Sequence, residues 1–193
     1  MVAELLRKPP ELTMSVSLVV GLVVAAVVVF AAVRLAGAWL RYRGARVITC
    51  PENLQPAGVR VDASHAAASA LASAPDLRLS TCSRWPEKAG CGQECLRQIE
   101  ASPEDCLVRN ILVRWYEGKS CALCGKPIGE IQLTDQKPAL LLAGNTIVEW
   151  KDVAPEKLHA ALAEAKPACF SCQLATSFAR QHPELITDRG RPA

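Results

Sequence analysis

The sequence predicts an α+β protein: one long apolar N-terminal helix, then a small cysteine-rich domain with short antiparallel strands and three to four helices. Three observations carry this. Residues 15–33 hold no charged side chain and are dominated by Val, Ala and Leu. Nine cysteines fall in 193 residues, four of them in the pairs Cys121-Ala-Leu-Cys124 and Cys169-Phe-Ser-Cys172. After residue 47, short apolar runs alternate with Pro- and Gly-containing turns and with amphipathic helical patterns. The resulting plan is a tail over 1–14, a transmembrane helix over 15–40, a basic juxtamembrane segment over 41–46, a soluble domain organised by metal over 47–187, and a tail over 188–193.

The run from Ser15 to Val33 is apolar on every face. A soluble amphipathic helix would carry a polar stripe, and about 20 apolar residues span a hydrocarbon core. Ala36-Gly37-Ala38 resembles a signal-peptide cleavage site. The apolar run, however, is longer than the usual h-region of about 7–15 residues, and the segment before it is not clearly basic. An intact anchor is expected. Arg7 and Lys8 precede the span beside Glu4 and Glu11, whereas Arg34, Arg41, Arg43 and Arg46 follow it. Positive flanks stay in the cytoplasm, so the sequence predicts a single pass of the inner membrane with the C-terminal domain cytoplasmic. Trp39 and Tyr42 suit an interfacial belt, and Arg34 can snorkel toward headgroups. In a reducing cytoplasm thiolates are available to metal, and an odd cysteine count fits poorly with full disulfide pairing.

Val47–Thr49 and Gly58–Val61 read as strands around the turn 51–56. Asp62 can cap a helix over Ala63–Ser73, a stretch whose small residues also suit a linker. Leu77–Ser80 reads as a strand ending at Cys82, and 82–95 as a loop. A helix is expected from Ser102 as cap and Pro103 at the first position, with Glu104 and Asp105 at its positive end. Val108, Ile111, Leu112 and Trp115 would form its core face, and Gly118 its end. Strands are expected at 130–134, 138–142 and 146–150, with a turn at Gly144-Asn145. A helix follows from Pro155 with Leu158, Leu162 and Ala165 inward, and Pro167 stops it. The second cysteine pair opens a last helix to about Gln181. No internal repeat is evident.

Two residues between thiolates let one tight turn present both sulfurs to one ion, and a second such pair completes a tetrahedron. Cys121, Cys124, Cys169 and Cys172 are therefore the first candidate metal site. Gly125 permits the turn, and a helix start at the second pair favours thiolate. Four protein ligands close the coordination sphere, which suits a structural zinc rather than a catalytic one. Four thiolates also hold iron–sulfur clusters, and either pair alone could be a redox dithiol. Neither pair is followed by His, which excludes covalent haem attachment. Knuckle, hairpin, then Cys-x-x-Cys at a helix start resembles the treble-clef and zinc-ribbon families over roughly 119–181, with the helix 155–166 intervening.

Cys82, Cys91, Cys95 and Cys106, with Cys50 upstream, form a second cluster, from which four ligands of a second site can be drawn. Spacing does not say which four, nor whether zinc, an iron–sulfur cluster or no metal occupies it. Cys106, in the first turn of the Ser102 helix, is expected to have a lowered pKa. His65, His159 and His182 are scattered, and no phosphate loop, nucleophile elbow or zinc-protease helix is present. Trp85, Trp115 and Trp150 read as core or rim residues. A net charge of +3, largely from one arginine cluster, excludes the broad basic face of a nucleic-acid binder.

The segments Cys82-Ser-Arg-Trp-Pro-Glu, Cys91-Gly-Gln-Glu-Cys95 and His182-Pro-Glu-Leu-Ile resemble membrane-anchored, cysteine-rich bacterial proteins of uncharacterised activity. The functional expectation is a zinc-binding scaffold or accessory subunit at the cytoplasmic membrane face. Its partners would be the lipid bilayer and another membrane or membrane-associated protein, and no nucleic acid. A membrane-tethered iron–sulfur or dithiol redox protein is the alternative. Enzymatic activity is not expected.

Overall fold

The computed structural model describes residues 10–88, 90–131 and 138–185. The chain divides into two compact units, one of residues up to 43 with 62–78, the other of 44–61 with residues from 79 onward.

The first unit is built on α1 (Pro10–Tyr42) and α2 (Ala63–Ser69). Every residue from Val16 to Phe30 is exposed, which matches the absence of a polar stripe. Val16–Tyr42 is one helix long and apolar enough to cross a membrane. The alanine-rich stretch forms a helix rather than a linker, shorter than expected. Its small residues Ala66, Ala67 and Ala70 are buried, which lets its backbone pack closely on α1. Arg34 donates through Nη2 to the Ala70 carbonyl at 2.8 Å, satisfying an orphan acceptor at the end of α2. The Asp62 carboxylate accepts the His65 N–H at 3.0 Å, the capping bond the sequence predicts. Asp62 also accepts from Arg78 at 2.7 and 3.0 Å, and its backbone N–H donates to the Arg78 carbonyl, so the segment closes on itself.

The second unit holds two antiparallel three-stranded sheets. In the first, β1 (Ala45–Thr49), β2 (Pro56–Val61) and β3 (Leu79–Cys82) lie in that order, with Val47 opposite Gly58 and Val59 opposite Cys82. The second has β4 (Ala139–Leu142) between β5 (Thr146–Glu149) and β6 (Lys166–Ala168). Helices α3 (Leu96–Ala101), α4 (Val108–Tyr116), α5 (Leu158–Glu164) and α6 (Phe170–Gln181) complete it. Val47, Leu112, Tyr116, Leu140, Leu158 and Leu162 meet in one core, with Trp115 and Trp150 packed at its edge. The Tyr116 hydroxyl donates to the Ala139 carbonyl at 2.7 Å, tying α4 to β4, and burial raises its pKa.

The helix expected from Ser102 begins only at Val108. Ser102 instead closes α3, its N–H donating to the Gln98 carbonyl at 3.1 Å. The chain at 106–107 is taken up by β1: Val47 donates to the Cys106 carbonyl at 2.8 Å and Arg46 bridges to Leu107. That pairing requires extended backbone, and it overrides the local capping signal. Asp105 and Glu104 then bond Arg114 and Asn110 rather than the helix amides. Helix α3, six residues long and anchored by the buried Ile99, is not predicted by the sequence. The strand expected at 130–134 falls mostly outside the described residues, and Glu130 and Ile131 are not in a strand.

Candidate metal centre

The first pair of cysteines sits on a tight knuckle. Ser120 bridges to Pro127, and Ile128 donates its N–H to the Lys119 carbonyl at 2.9 Å. Inside this ladder the Cys121 N–H donates to Lys126 at 2.8 Å, and the Gly125 N–H returns to Cys121 at 2.9 Å. Gly125 has φ +72°, the left-handed conformation that closes the turn. Lys119 lies 3.7 Å above the Trp115 ring, fixing the knuckle to α4 through a cation–π contact.

The second pair opens α6, as the sequence predicts. Cys169 is its N-cap and Cys172 lies in its first turn, where no acidic side chain competes for the positive end of the helix. Two hydrogen bonds join the halves. Ala122 donates to the Pro167 carbonyl at 2.8 Å, and Cys169 donates its N–H to the Cys121 sulfur at 3.3 Å.

All four sulfurs lie within 4.8 Å of one another, and those of Cys124 and Cys169 are 3.8 Å apart. Zinc–sulfur bonds of ~2.3 Å in a tetrahedron give edges of about 3.8 Å. The group is therefore arranged to hold a metal ion. Its electrostatics agree. Burial pushes the Cys121 thiol up, but the facing N–H groups of Cys169, Cys124 and Leu123 outweigh it and hold it at about 6. Burial and then the neighbouring cysteines push Cys172 up to about 12. One thiolate forms readily and the next is opposed by it, a repulsion that a bound cation removes.

No protein-family model, no curated protein and no solved structure matches this chain. What the site can do is read from its own atoms.

The remaining five cysteines separate into four and one. Cys50, Cys82, Cys91 and Cys95 line one cavity of about 190 Å³, together with Arg84 and Gln93. Burial, then the neighbouring Cys82, Cys91 and Cys50, push the Cys95 thiol up to about 11. Cys106 does not line this cavity. Its thiol points at the carbonyls of Ser102 and Pro103, at 3.5 and 3.6 Å. It lies in a turn rather than in a helix, and burial raises its pKa against the pull of Arg46, correcting the expected lowering. Arg84 is a site residue that no spacing or motif singles out: its Nη1 donates to the Cys50 sulfur at 3.1 Å. Among the described residues no histidine joins either group. His65 pairs with Asp76 at 2.8 Å, His159 is exposed, and His182 packs on Phe178.

Proposed function

We propose that this chain is a membrane-anchored zinc protein whose soluble domain is a binding or accessory module at the cytoplasmic face of the inner membrane. The observation that carries this reading is the closed group of four cysteines following an N-terminal helix with the length of a membrane span. Zinc fits because four thiolates grouped within 4.8 Å suit a tetrahedral ion, and a full protein shell leaves no position for water or substrate. The ion would be held by Cys121 and Cys124 from the knuckle and by Cys169 and Cys172 from α6. There it would supply structural cross-linking, joining the knuckle to the helix that follows the second sheet.

A binding role is supported by Leu174 and Phe178, one turn apart on α6 and both exposed, and by Leu123, exposed on the knuckle. Apolar side chains held on an element fixed by metal form a surface that a protein partner can cover. The arginines after the span support the cytoplasmic orientation. Reporter fusions at the C-terminus test the orientation: activity of a cytoplasm-dependent reporter, and silence of an export-dependent one, is expected. The opposite pattern overturns it and shifts the cysteines toward disulfides. Purification from detergent-solubilised membranes with metal analysis tests the rest. Colourless protein containing zinc supports the reading, whereas brown protein with iron and sulfide lost on Cys124→Ser substitutes an electron-transfer role.

A further inference from the structure

The turn after β1 repeats the knuckle of the four-cysteine group, bond for bond. Thr49 pairs with Pro56 as Ser120 pairs with Pro127. The Cys50 N–H donates to Gln55 at 2.9 Å, as that of Cys121 donates to Lys126 at 2.8 Å. The Leu54 N–H returns to Cys50 at 2.8 Å, as that of Gly125 returns to Cys121 at 2.9 Å. Leu54 is left-handed at φ +58°, matching Gly125 at φ +72°. The sulfur of Cys50 faces the amides of Glu52 and Asn53, and that of Cys121 faces those of Leu123 and Cys124. Amides turned onto a sulfur stabilise thiolate and are the support a metal-bound cysteine needs.

Asn53 occupies the place that Cys124 holds in the other knuckle, so this turn offers one thiol rather than two. The cavity in front of it is lined by three more. Cys82 comes from the end of β3, Cys91 from the loop, and the buried Cys95 from the residue before α3. Both assemblies thus combine a knuckle cysteine with cysteines from later segments of the chain. Arg84 beside Cys50 would offset part of the negative charge that four thiolates leave around a divalent ion.

We propose that Cys50, Cys82, Cys91 and Cys95 are the ligands of a second centre for a thiophilic metal, independent of the first, and that Cys106 is not a ligand. Among the described residues the close four-sulfur grouping is confined to the first site, so these sulfurs stand wider. A single zinc ion would draw them together by side-chain rotation. An iron–sulfur cluster takes thiolates that are farther apart, because they bind different irons.

The test is zinc, iron and acid-labile sulfide per polypeptide in the full-length protein purified in detergent, with Cys91→Ser, Cys106→Ser and Cys124→Ser beside it. Two centres are expected in the wild type, one in Cys91→Ser, one in Cys124→Ser and two in Cys106→Ser. Iron and sulfide lost with Cys91 identify a cluster at this site, and a colourless two-zinc protein identifies a zinc ion. A wild type with a single centre, lost in Cys124→Ser and kept in Cys91→Ser, overturns the second site and leaves the first intact. A single centre lost only in Cys91→Ser keeps the second site and removes the first. Loss of metal in Cys106→Ser overturns the ligand assignment. Should Cys91→Ser not fold, the wild-type count still decides whether a second centre exists.

Discussion

Cys169 donates its backbone N–H to the sulfur of Cys121 at 3.3 Å, across 48 positions of sequence. The first thiolate of the knuckle is thereby stabilised by the start of the helix that carries the second pair. Ala122 and Pro167 clamp the same junction from the backbone side. Long-range hydrogen bonds of this kind preorganise a site but contribute only about 1 kcal/mol each. A metal bond between the same segments contributes far more, because its binding free energy is folding free energy.

The two knuckles make the same left-handed demand on the residue that closes them and meet it with different residues. Gly125 is left-handed with open space around it, so a side chain there meets backbone strain alone. Gly125→Ala should destabilise by about 1 kcal/mol. Leu54 already bears that strain while its side chain is 76% exposed. Leu54→Gly should be neutral to stabilising, since strain relief of about 1 kcal/mol opposes the entropy of an added glycine. Thermal melts of the two variants should move in different directions or differ clearly in size. Equal losses would contradict the shared geometry.

Gly58 is needed for a different reason. A Cβ built there would stand 2.6 Å from Glu156 Oε2 and 2.9 Å from Pro155 Cβ, where the turn before α5 crosses β2. The carboxylate can swing aside but the proline cannot. Gly58→Ala should therefore cost about 1–3 kcal/mol, the range for overpacking. Denaturant unfolding checks this, and an unchanged midpoint would show that the turn does not rest on the strand.

Asp62 gives the first unit a pH dependence. The His65 N–H, then Arg78, hold its carboxyl below the ordinary range. A depressed folded pKa contributes stability that is present above the unfolded value, ~3.9, and lost as pH falls through the folded one. Protection of the His65 and Ala66 amides, their exchange rate set against the intrinsic rate at each pH, should be high at neutral pH and fall in acid, whereas Asp62→Asn should remove the acid step. The same acid step persisting in the variant would place its origin elsewhere.

The legible parts of this chain are those where one residue type decides. A charge-free run of apolar residues has few alternatives to a long exposed helix. Two Cys-x-x-Cys pairs, one followed by glycine and one before an amphipathic run, announced the knuckle and the helix start that the structure brings together. The start of α4 was hidden because Ser102 and Pro103 are a good local cap, and only the pairing of β1 with 106–107 overrides it. The knuckle at Cys50 was hidden because Asn53 and Leu54 replace the cysteine and glycine by which such turns are recognised. What persists in sequence is the cysteine with its following proline, Thr49-Cys50…Pro56 beside Ser120-Cys121…Pro127. Nothing in the spacing separates Cys106 from the other four; its removal follows from a thiol turned onto the Ser102 and Pro103 carbonyls.

X-ray absorption at the zinc edge of the purified full-length protein reads the ligand shell of the four-cysteine group itself. Bound zinc with a shell of four sulfurs at about 2.3 Å, and loss of one metal equivalent in Cys124→Ser, are expected. A shell dominated by nitrogen and oxygen, or a metal content unmoved by that substitution, would contradict a zinc ion held by these four cysteines.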